Sequence, residues 1–250
     1  MKIAVCVSHV PDTASRIKVG TDSKSIDPSG ITYIINPYDE FAVEEALKTK
    51  EKLGADTQVI AISVGSDANK ESLRKALAMG ADSAVLLKDD NQRDSIGIAK
   101  ALAEEIKNQG CELAFFGKQS VDYDNSITGQ LTAELISFNC IATVVDFKLE
   151  GNTITAEREI EGGKEIVQSE IPCIITCQKG LNEPRYASLK GIMAAKKKTI
   201  EEKSAATSDA ATEIIKMNLP PPKQAGRIVG TDATAVKELV KLLREEAKVI

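Results

Sequence analysis

The chain has 250 residues, enough for one large α/β domain with a sizeable core. Its 37 Asp and Glu residues outnumber 32 Lys and Arg residues, and the net charge of −5 argues against a nucleic-acid binder. We find neither the ~20 apolar residues of a membrane span nor a signal-peptide pattern, so we expect a cytoplasmic protein without membrane insertion. Five cysteines without a CxxC pair and a single histidine, His9, predict buried thiols, with no metal site and no hydrolytic triad.

Short apolar, β-branched runs alternate with segments of helical periodicity through the first half of the chain. The predicted strands cover residues 2–8, 58–64, 83–87 and 112–117, and the predicted helices cover residues 39–53, 70–80, 95–109 and 126–136. This alternation predicts an α/β fold with a doubly wound, mostly parallel sheet and helices on both of its faces. Gly80 and Gly110 are expected to end helices.

The second half of the chain changes pattern. Residues 143–177 alternate in polarity and are broken by glycines at 151 and 162–163, which predicts an antiparallel extension with hairpin turns. From about residue 199 the chain becomes polar, and Pro220 to Pro222 impose an extended conformation before a final amphipathic helix at 232–247. We therefore divide the chain into an α/β domain, residues 1–198, and a C-terminal arm and helix, residues 199–250, which packs on another subunit.

Residues 181–198, LNEPRYASLKGIMAAKKK, combine apolar residues with turn formers and a basic cluster. Pro184 and Gly191 argue against a helix, so we expect an exposed loop. Apolar side chains in such a loop indicate a partner surface, although packing on the chain's own domain is an equally simple explanation. The lysines at 196–198 are also compatible with a solvated helix end. The candidate partner-binding residues are Tyr186, Leu189, Ile192 and Met193.

A ligand site is expected outside the carboxyl ends of the parallel strands. Residues 6–9, 36–39, 64–66 and 117–128 fall there. The last of these, GKQSVDYDNSIT, leads into a helix whose first N–H groups could hold a phosphate, although Asn125 and Ser126 could simply cap that helix. The sequence has neither GxGxxG nor a P-loop lysine motif, so it predicts no dinucleotide fingerprint and no phosphoryl transfer.

Several distinctive segments follow one another along nearly the whole chain. They are MKIAVCVSHVPD, NPYDEFAVEEAL, SLRKALAMGAD, GKQSVDYDNSITGQLTAE, AEREIEGGKE, LNEPRYASLKGIMAAKKK and PPPKQAG. In these segments the chain resembles the beta subunit of electron transfer flavoproteins. The resemblance implies an adenine nucleotide alpha hydrolase-like fold and an electron carrier subunit without catalytic residues of its own. It also implies an alpha subunit that holds most of the FAD, with flavin dehydrogenases such as acyl-CoA dehydrogenases as donors and a respiratory quinone reductase as acceptor.

By this resemblance the chain binds a structural AMP, whose phosphate rests on residues 117–128. That loop departs from the usual pattern at Ser126 and Ile127, where an Asn-Gln pair is typical. His9 to Thr13 match the segment that covers one side of the flavin, and Leu189 is the implied anchor for dehydrogenases. The implied nucleotide-binding residues are Cys6, Asn36, Pro37, Tyr38, Asp39, Val64, Gly117, Lys118, Gln119, Ser120, Val121, Asp122, Asn125, Ser126, Ile127 and Thr128.

Two alternatives remain open. A bifurcating branch of the family holds a second FAD in place of AMP, with a loop that reads more like TAQVGP, whereas NSITGQ here resembles the AMP branch. A free-standing adenine-nucleotide sensor or hydrolase would use the same type of fold for another purpose. The missing catalytic groups and the long arm argue against this second alternative.

Overall fold

A computed structural model describes residues 1–223 and 225–250. It contains a nine-stranded sheet and a separate two-stranded sheet, which confirms the predicted α/β class and the mostly parallel arrangement. Gln224, which belongs to the PPPKQAG segment, lies outside the described residues. Among the helices of the described residues, none has the length and apolar character needed to cross a membrane.

The elements follow the predicted alternation, with bounds that differ from the prediction by a few residues at most of the ends. The helices are α1 (Pro37–Leu53), α2 (Lys70–Met79), α3 (Ser95–Gln109), α4 (Thr128–Ile136), α5 (Leu189–Lys197) and α6 (Val236–Glu245). The strands are β1 (Lys2–Cys6), β2 (His9–Pro11), β3 (Tyr33–Ile35), β4 (Gln58–Gly65), β5 (Ser83–Lys88), β6 (Leu113–Gly117), β7 (Asn139–Glu150), β8 (Thr153–Ile160), β9 (Gly163–Glu170), β10 (Cys173–Cys177) and β11 (Ile200–Ser204).

The large sheet has the strand order β11-β5-β4-β1-β6-β10-β7-β8-β9. The pairs from β11 to β7 are parallel, and β7, β8 and β9 form the predicted antiparallel extension. Because neighbouring residues of a strand point to opposite faces, Val5 and Phe115 pack with α1 and α2, whereas Ala4 and Phe116 pack with α3 and α4. Burial on both faces explains why the central strands are apolar throughout.

Strand β10 corrects the prediction for residues 143–177. It lies between β6 and β7 and is parallel to both, instead of continuing the antiparallel meander. All five of its residues are buried, as expected of a strand with helices on both faces. Four of the five cysteines are buried as predicted, while Cys140 in β7 is exposed.

Strand β11 shows that the sheet continues past residue 198. It pairs in parallel with β5 along its whole length, and its first residue, Ile200, is buried in the core. The arm predicted to begin at residue 199 therefore starts inside a sheet strand, and the irregular chain begins after Ser204. The terminal helix forms as α6, and none of its residues is buried within this chain. The division at residue 198 into two domains stays a prediction.

Helix α5 corrects the prediction of a loop at residues 181–198. Pro184 lies before the helix, and Ser188 caps it by accepting a hydrogen bond from the N–H of Gly191 at 3.0 Å. Gly191 does not break this helix, because it permits close packing on α2: a Cβ atom there would overlap the carbonyl oxygen of Ala78. The glycine is a contact residue between two helices.

We expect Gly191→Ala to lower the free energy of unfolding by about 1–3 kcal/mol, the usual cost of overpacking. Replacing a helical Gly by Ala is normally favourable by roughly 0.5–1 kcal/mol, so the expected sign is opposite to the helix propensity effect. Urea unfolding measures the difference. Gly163→Ala is the control, since no atom lies within 4 Å of its Cβ position. A Gly191→Ala protein as stable as the wild type would contradict this packing.

Candidate functional site

A cavity of about 1170 Å³ lies where strands of the parallel sheet end. Cys6 ends β1, Val64 lies near the end of β4, and Gly117 ends β6, and all three line the cavity. Because β1 is the strand from which the chain runs first to one side of the sheet and then to the other, this is the switch point where ligands bind. The segments predicted from the strand ends therefore line a cavity, and ligand binding there stays a prediction.

Most of the residues predicted to bind the nucleotide meet in this cavity. Asn36, Pro37, Tyr38 and Val121 are not among the described residues that line it. Those that line it are Cys6, Asp39, Val64, Gly117, Lys118, Gln119, Ser120, Asp122, Asn125, Ser126, Ile127 and Thr128.

Asp39 holds the floor of the cavity together. Its Oδ2 accepts a hydrogen bond from the N–H of Ser8 at 2.7 Å, and its Oδ1 accepts one from the N–H of Gly117 at 3.1 Å. The carboxyl thus joins the chain after β1 to the end of β6 through the first turn of α1. Burial raises the pKa of Asp39 to about 7, although the hydrogen bonds from Asn36, Ser8 and Gly117 act in the opposite direction.

Asn36 supports the cavity loop from behind. Its buried amide donates to Oδ1 of Asp39 and to the carbonyl oxygen of Gln119, both at 2.9 Å, and its Oδ1 accepts from the N–H of Val121 at 3.2 Å. Pro37 follows as the first helical residue of α1, where its missing N–H costs nothing. Asn36 therefore fixes the loop that begins at Gly117 instead of lining the cavity.

Gly117 is required by the close approach of α1. A Cβ atom on this residue would overlap Oδ1 of Asp39 and would lie 2.8 Å from Cβ of Tyr38. The next residue, Lys118, places its ammonium group 5.2 Å from the centre of the Tyr38 ring. The loop therefore leaves β6 with its backbone against α1.

Asn125 and Ser126 do not cap α4, which corrects the expectation for these two residues. Asn125 donates to Oγ of Ser95 at 2.9 Å, and Ser126 donates to Oε1 of Gln119 at 2.9 Å. Helix α4 begins after Ile127, and no side chain caps it within the part of the chain that the structure describes. The N-terminus of α4 faces the cavity, which Thr128 and Gly129 line. This arrangement suits an anionic ligand group.

The far wall of the cavity was missed by the sequence analysis. It consists of residues 92–95 before and at the start of α3, together with residues 210–214 of the C-terminal arm. Asp94 caps α3 and also accepts hydrogen bonds from the N–H groups of Ala211 and Thr212. The sequence Asp-Ser before a helical pattern is a recognisable cap signal, but the contacts with the arm leave no sequence signal.

Cys6 and His9, which also line the cavity, both have pKa values shifted by burial. Burial raises the pKa of the Cys6 thiol well above its usual value, so this cysteine is not an activated nucleophile. Burial also lowers the pKa of His9, whose ring stacks on Tyr33 at 5.2 Å and whose Nδ1 lies 2.9 Å from Oγ of Ser72. Among the described residues no group of acidic, His and Cys side chains could hold a metal ion.

A second feature is an exposed apolar surface, here called the docking surface, which lies away from the cavity lining. The exposed fractions of its residues are 99% for Tyr186, 84% for Leu189, 63% for Met193 and 40% for Ile192. These are the four predicted partner-binding residues. Tyr186, Leu189 and Met193 do not pack on their own domain, whereas Ile192 is more than half covered and Leu181 of the same segment packs against the core.

The docking surface is attached to α1 by a charged clamp. The guanidinium of Arg185 donates from Nε to Oε2 of Glu44 at 2.8 Å and from Nη2 to Oε1 of Glu44 at 2.9 Å. Its Nη1 also donates to Oε1 of Glu51 at 2.6 Å. Asn182 donates to Oε2 of Glu45 at 2.9 Å. Two-point binding of a nearly buried carboxylate fixes the chain just before Tyr186.

Comparison with known proteins decides the family. Residues 24–208 match the electron transfer flavoprotein domain. The chain is 40% identical over 261 residues to the electron transfer flavoprotein subunit beta of Bacillus subtilis (strain 168), with all of both proteins covered. It is 36% identical to the proteins of that name from Syntrophomonas wolfei and Mus musculus, with all of this chain and 98% and 99% of those proteins covered.

The chain belongs to the electron transfer flavoprotein beta subunit family. The resemblance carried by its ordered segments is thereby confirmed. In this chain the cavity and the docking surface are separate features, since the first lies at the strand ends and the second on α5 and the segment before it.

We expect Asp39 to make stability depend on pH. Its pKa is about 7 in the folded protein, against an ordinary value of 3.8, so folding binds a proton between these values and the stabilisation falls as pH rises through about 7. The free energy of unfolding of the wild type, minus that of Asp39→Asn, should therefore decrease from pH 5 to pH 8. One pKa unit corresponds to ~1.36 kcal/mol.

Chemical unfolding of both proteins at the two pH values measures this difference. Because burial is the main cause, the decrease should persist in about 1 M salt, where interactions between exposed charges are screened. A difference that is constant, or that grows towards pH 8, would show that Asp39 is ionised across this range.

Proposed function

We propose that the chain is the beta subunit of a heterodimeric electron transfer flavoprotein, which accepts electrons from flavin dehydrogenases and passes them to a quinone reductase. It acts as a carrier subunit and not as an enzyme. The observation that carries the proposal is the cavity at the carboxyl ends of β1, β4 and β6, which collects twelve of the predicted nucleotide-binding residues. Membership of the family and the exposed docking surface support it.

AMP is the proposed ligand of the cavity. The N–H groups at the start of α4 would hold its phosphate, with the hydroxyl of Ser126 close by in the same loop. Lys24 and Lys118 also line the cavity and would offset the charge of a phosphate. Cys6, Val64 and Phe116 supply apolar surface for the rest of the nucleotide. The role of these residues is binding and orientation.

FAD is the proposed redox cofactor, held mainly by the alpha subunit, and it supplies the electron-accepting chemistry when bound. This chain would contribute the segment from His9 to Thr13, which begins with β2. The contact between His9 and Ser72 and the stacking on Tyr33 fix that segment against α2 and β3. Its role would be to cover the cofactor and exclude water.

The docking surface is the proposed site for flavin dehydrogenases. Leu189 is highly exposed and lies at the first position of α5, beside exposed Tyr186 and Met193. A few apolar anchors of this kind dominate the binding energy of an interface. The cytoplasmic location stays a prediction, and a relative from Oryza sativa is named mitochondrial.

One observation favours the bifurcating alternative. The cavity of about 1170 Å³ is slightly larger than the range of ~300–1,000 Å³ typical of small-molecule pockets, so its size would also accommodate part of a larger ligand such as a second FAD. The loop NSITGQ favours AMP. The free-standing sensor is disfavoured because α6 exposes Val236, Leu239 and Val240 and buries no residue in this chain, which suits a helix that packs on another subunit.

Mass spectrometry of the nucleotides released from the natively purified complex tests the proposal. We expect AMP and FAD in equal amounts, together with an alpha subunit. Two FAD molecules without AMP would transfer the chain to the bifurcating branch, and a lone chain with only an adenine nucleotide would support the sensor.

We expect Leu189→Ala to slow electron transfer from a dehydrogenase while flavin and AMP contents stay unchanged. Removal of a central apolar anchor costs ~2 kcal/mol or more, which corresponds to roughly thirtyfold weaker docking. Stopped-flow reduction of the flavin at increasing dehydrogenase concentration measures this effect.

Leu135→Ala is the matched control, because Leu135 is an exposed leucine of α4 on the opposite face of the sheet. Its kinetics should equal those of the wild type. If Leu189→Ala also behaved like the wild type, the docking role of Leu189 would be ruled out.

A further inference from the structure

The first part of the C-terminal arm, residues 205–217, here called the strap, runs across one side of the cavity. At one end the N–H of Ala205 donates to the carbonyl oxygen of Lys88 at 3.1 Å, and Arg93 donates to the carbonyl oxygen of Ala206 at 2.7 Å. At the other end the N–H of Met217 donates to the carbonyl oxygen of Ser23 at 2.7 Å. Between these ends, residues 210–214 line the cavity. The strap is therefore part of the cavity wall.

Asp94 fastens the middle of the strap. One carboxyl oxygen, Oδ1, accepts the N–H of Gly97 at 2.8 Å and caps α3. The other, Oδ2, accepts the N–H groups of Ala211 at 2.7 Å and Thr212 at 2.9 Å. Hydrogen bonds to a charged acceptor are about twice as strong as neutral ones. The two oxygens of one side chain thus serve two different purposes.

A second contact holds the strap at the next residue, Glu213. Lys24 lies in the loop between β2 and β3 and forms an ion pair of 2.6 Å with Glu213. Both partners are largely exposed, so this pair contributes little by itself. It nevertheless shows that the strap contacts both the start of α3 and the loop that carries Lys24, and Asp94 and Lys24 both line the cavity.

We propose that the strap retains the nucleotide in the cavity and that Asp94 is the residue that positions it. The identity of the ligand as a mononucleotide rests on the function proposed above, whereas the geometry of the closure does not. Ligand release past this wall requires the strap to separate from Asp94, so the hydrogen bonds to Oδ2 slow dissociation. Asp94 need not touch the ligand to have this effect.

The variant Asp94→Ser separates the two purposes of the carboxyl. Serine is as good a cap as aspartate, so the bond to Gly97 is kept, while the second acceptor for Ala211 and Thr212 is lost. Removing a negative charge near an anionic ligand would by itself slow release. Faster release can therefore be attributed to the strap.

The experiment uses the full heterodimer loaded with isotope-labelled AMP and chased with an excess of unlabelled AMP. We expect Asp94→Ser to release the label roughly tenfold faster than the wild type, in line with the loss of hydrogen bonds to a charged group. Limited proteolysis of the same samples should show faster cleavage between residues 205 and 217. Asp94→Asn, which retains a capping group, is the second variant if the serine variant fails to assemble.

Asp90→Ser is the matched control, because Asp90 is an exposed acid four positions earlier in the same loop. It removes an equal charge without touching the strap, and its release rate should not rise. A strap that is cleaved faster while the label leaves at the wild-type rate would overturn the inference. A wild-type complex that holds no AMP would instead overturn the proposed nucleotide function.

Discussion

The buried carboxyl of Asp39 is the constraint on which the cavity at the strand ends depends. It receives N–H groups from the chain after β1 and from the end of β6, so it sets the distance between the two strand ends that form the floor. This geometry in turn requires glycine at position 117, since any side chain there would overlap Asp39. Asn36 then extends the same network to Gln119 and Val121. These hydrogen bonds offset part of the cost of burying the Asp39 carboxyl, whose pKa nevertheless stays raised at about 7.

The parallel core could be predicted from the sequence because strands buried on both faces must be apolar throughout, and the helices between them end at glycines such as Gly80 and Gly110. The place of β10 could not be predicted. A run of five buried residues has the same sequence pattern in a parallel and in an antiparallel strand. The position of β10 between β6 and β7 is set by tertiary packing. The helix α5 was not predicted for a related reason. The sequence alone does not distinguish a glycine that ends a helix from one, such as Gly191, that allows close packing of a neighbouring helix.

The sequence predicted only those parts of the cavity that follow from the order of the strands along the chain. Cys6, Val64 and the loop after Gly117 follow from the rule that ligands bind at the carboxyl ends of strands. The position of the strap does not follow from any such rule. Asp94 accepts hydrogen bonds from the backbone N–H groups of Ala211 and Thr212, which are more than a hundred residues away in the sequence, and backbone N–H groups carry no sequence signature. The cap predicted for α4 was wrong for a similar reason, because the hydroxyl of Ser126 donates to the side chain of Gln119 instead of capping the helix.

Helix α1 contacts both the cavity and the segment that carries the docking surface. Its first turn carries Asp39, which shapes the cavity, and Glu44 and Glu51 further along hold Arg185 and thereby the docking surface. Glu44 and Glu51 are seven residues apart, two turns of helix, so one guanidinium can reach both. Glu44 is nearly buried, and removing Arg185 would leave its charge without its main partner. The cavity and the docking surface are therefore kept at a fixed spacing by a single rigid element of 17 residues.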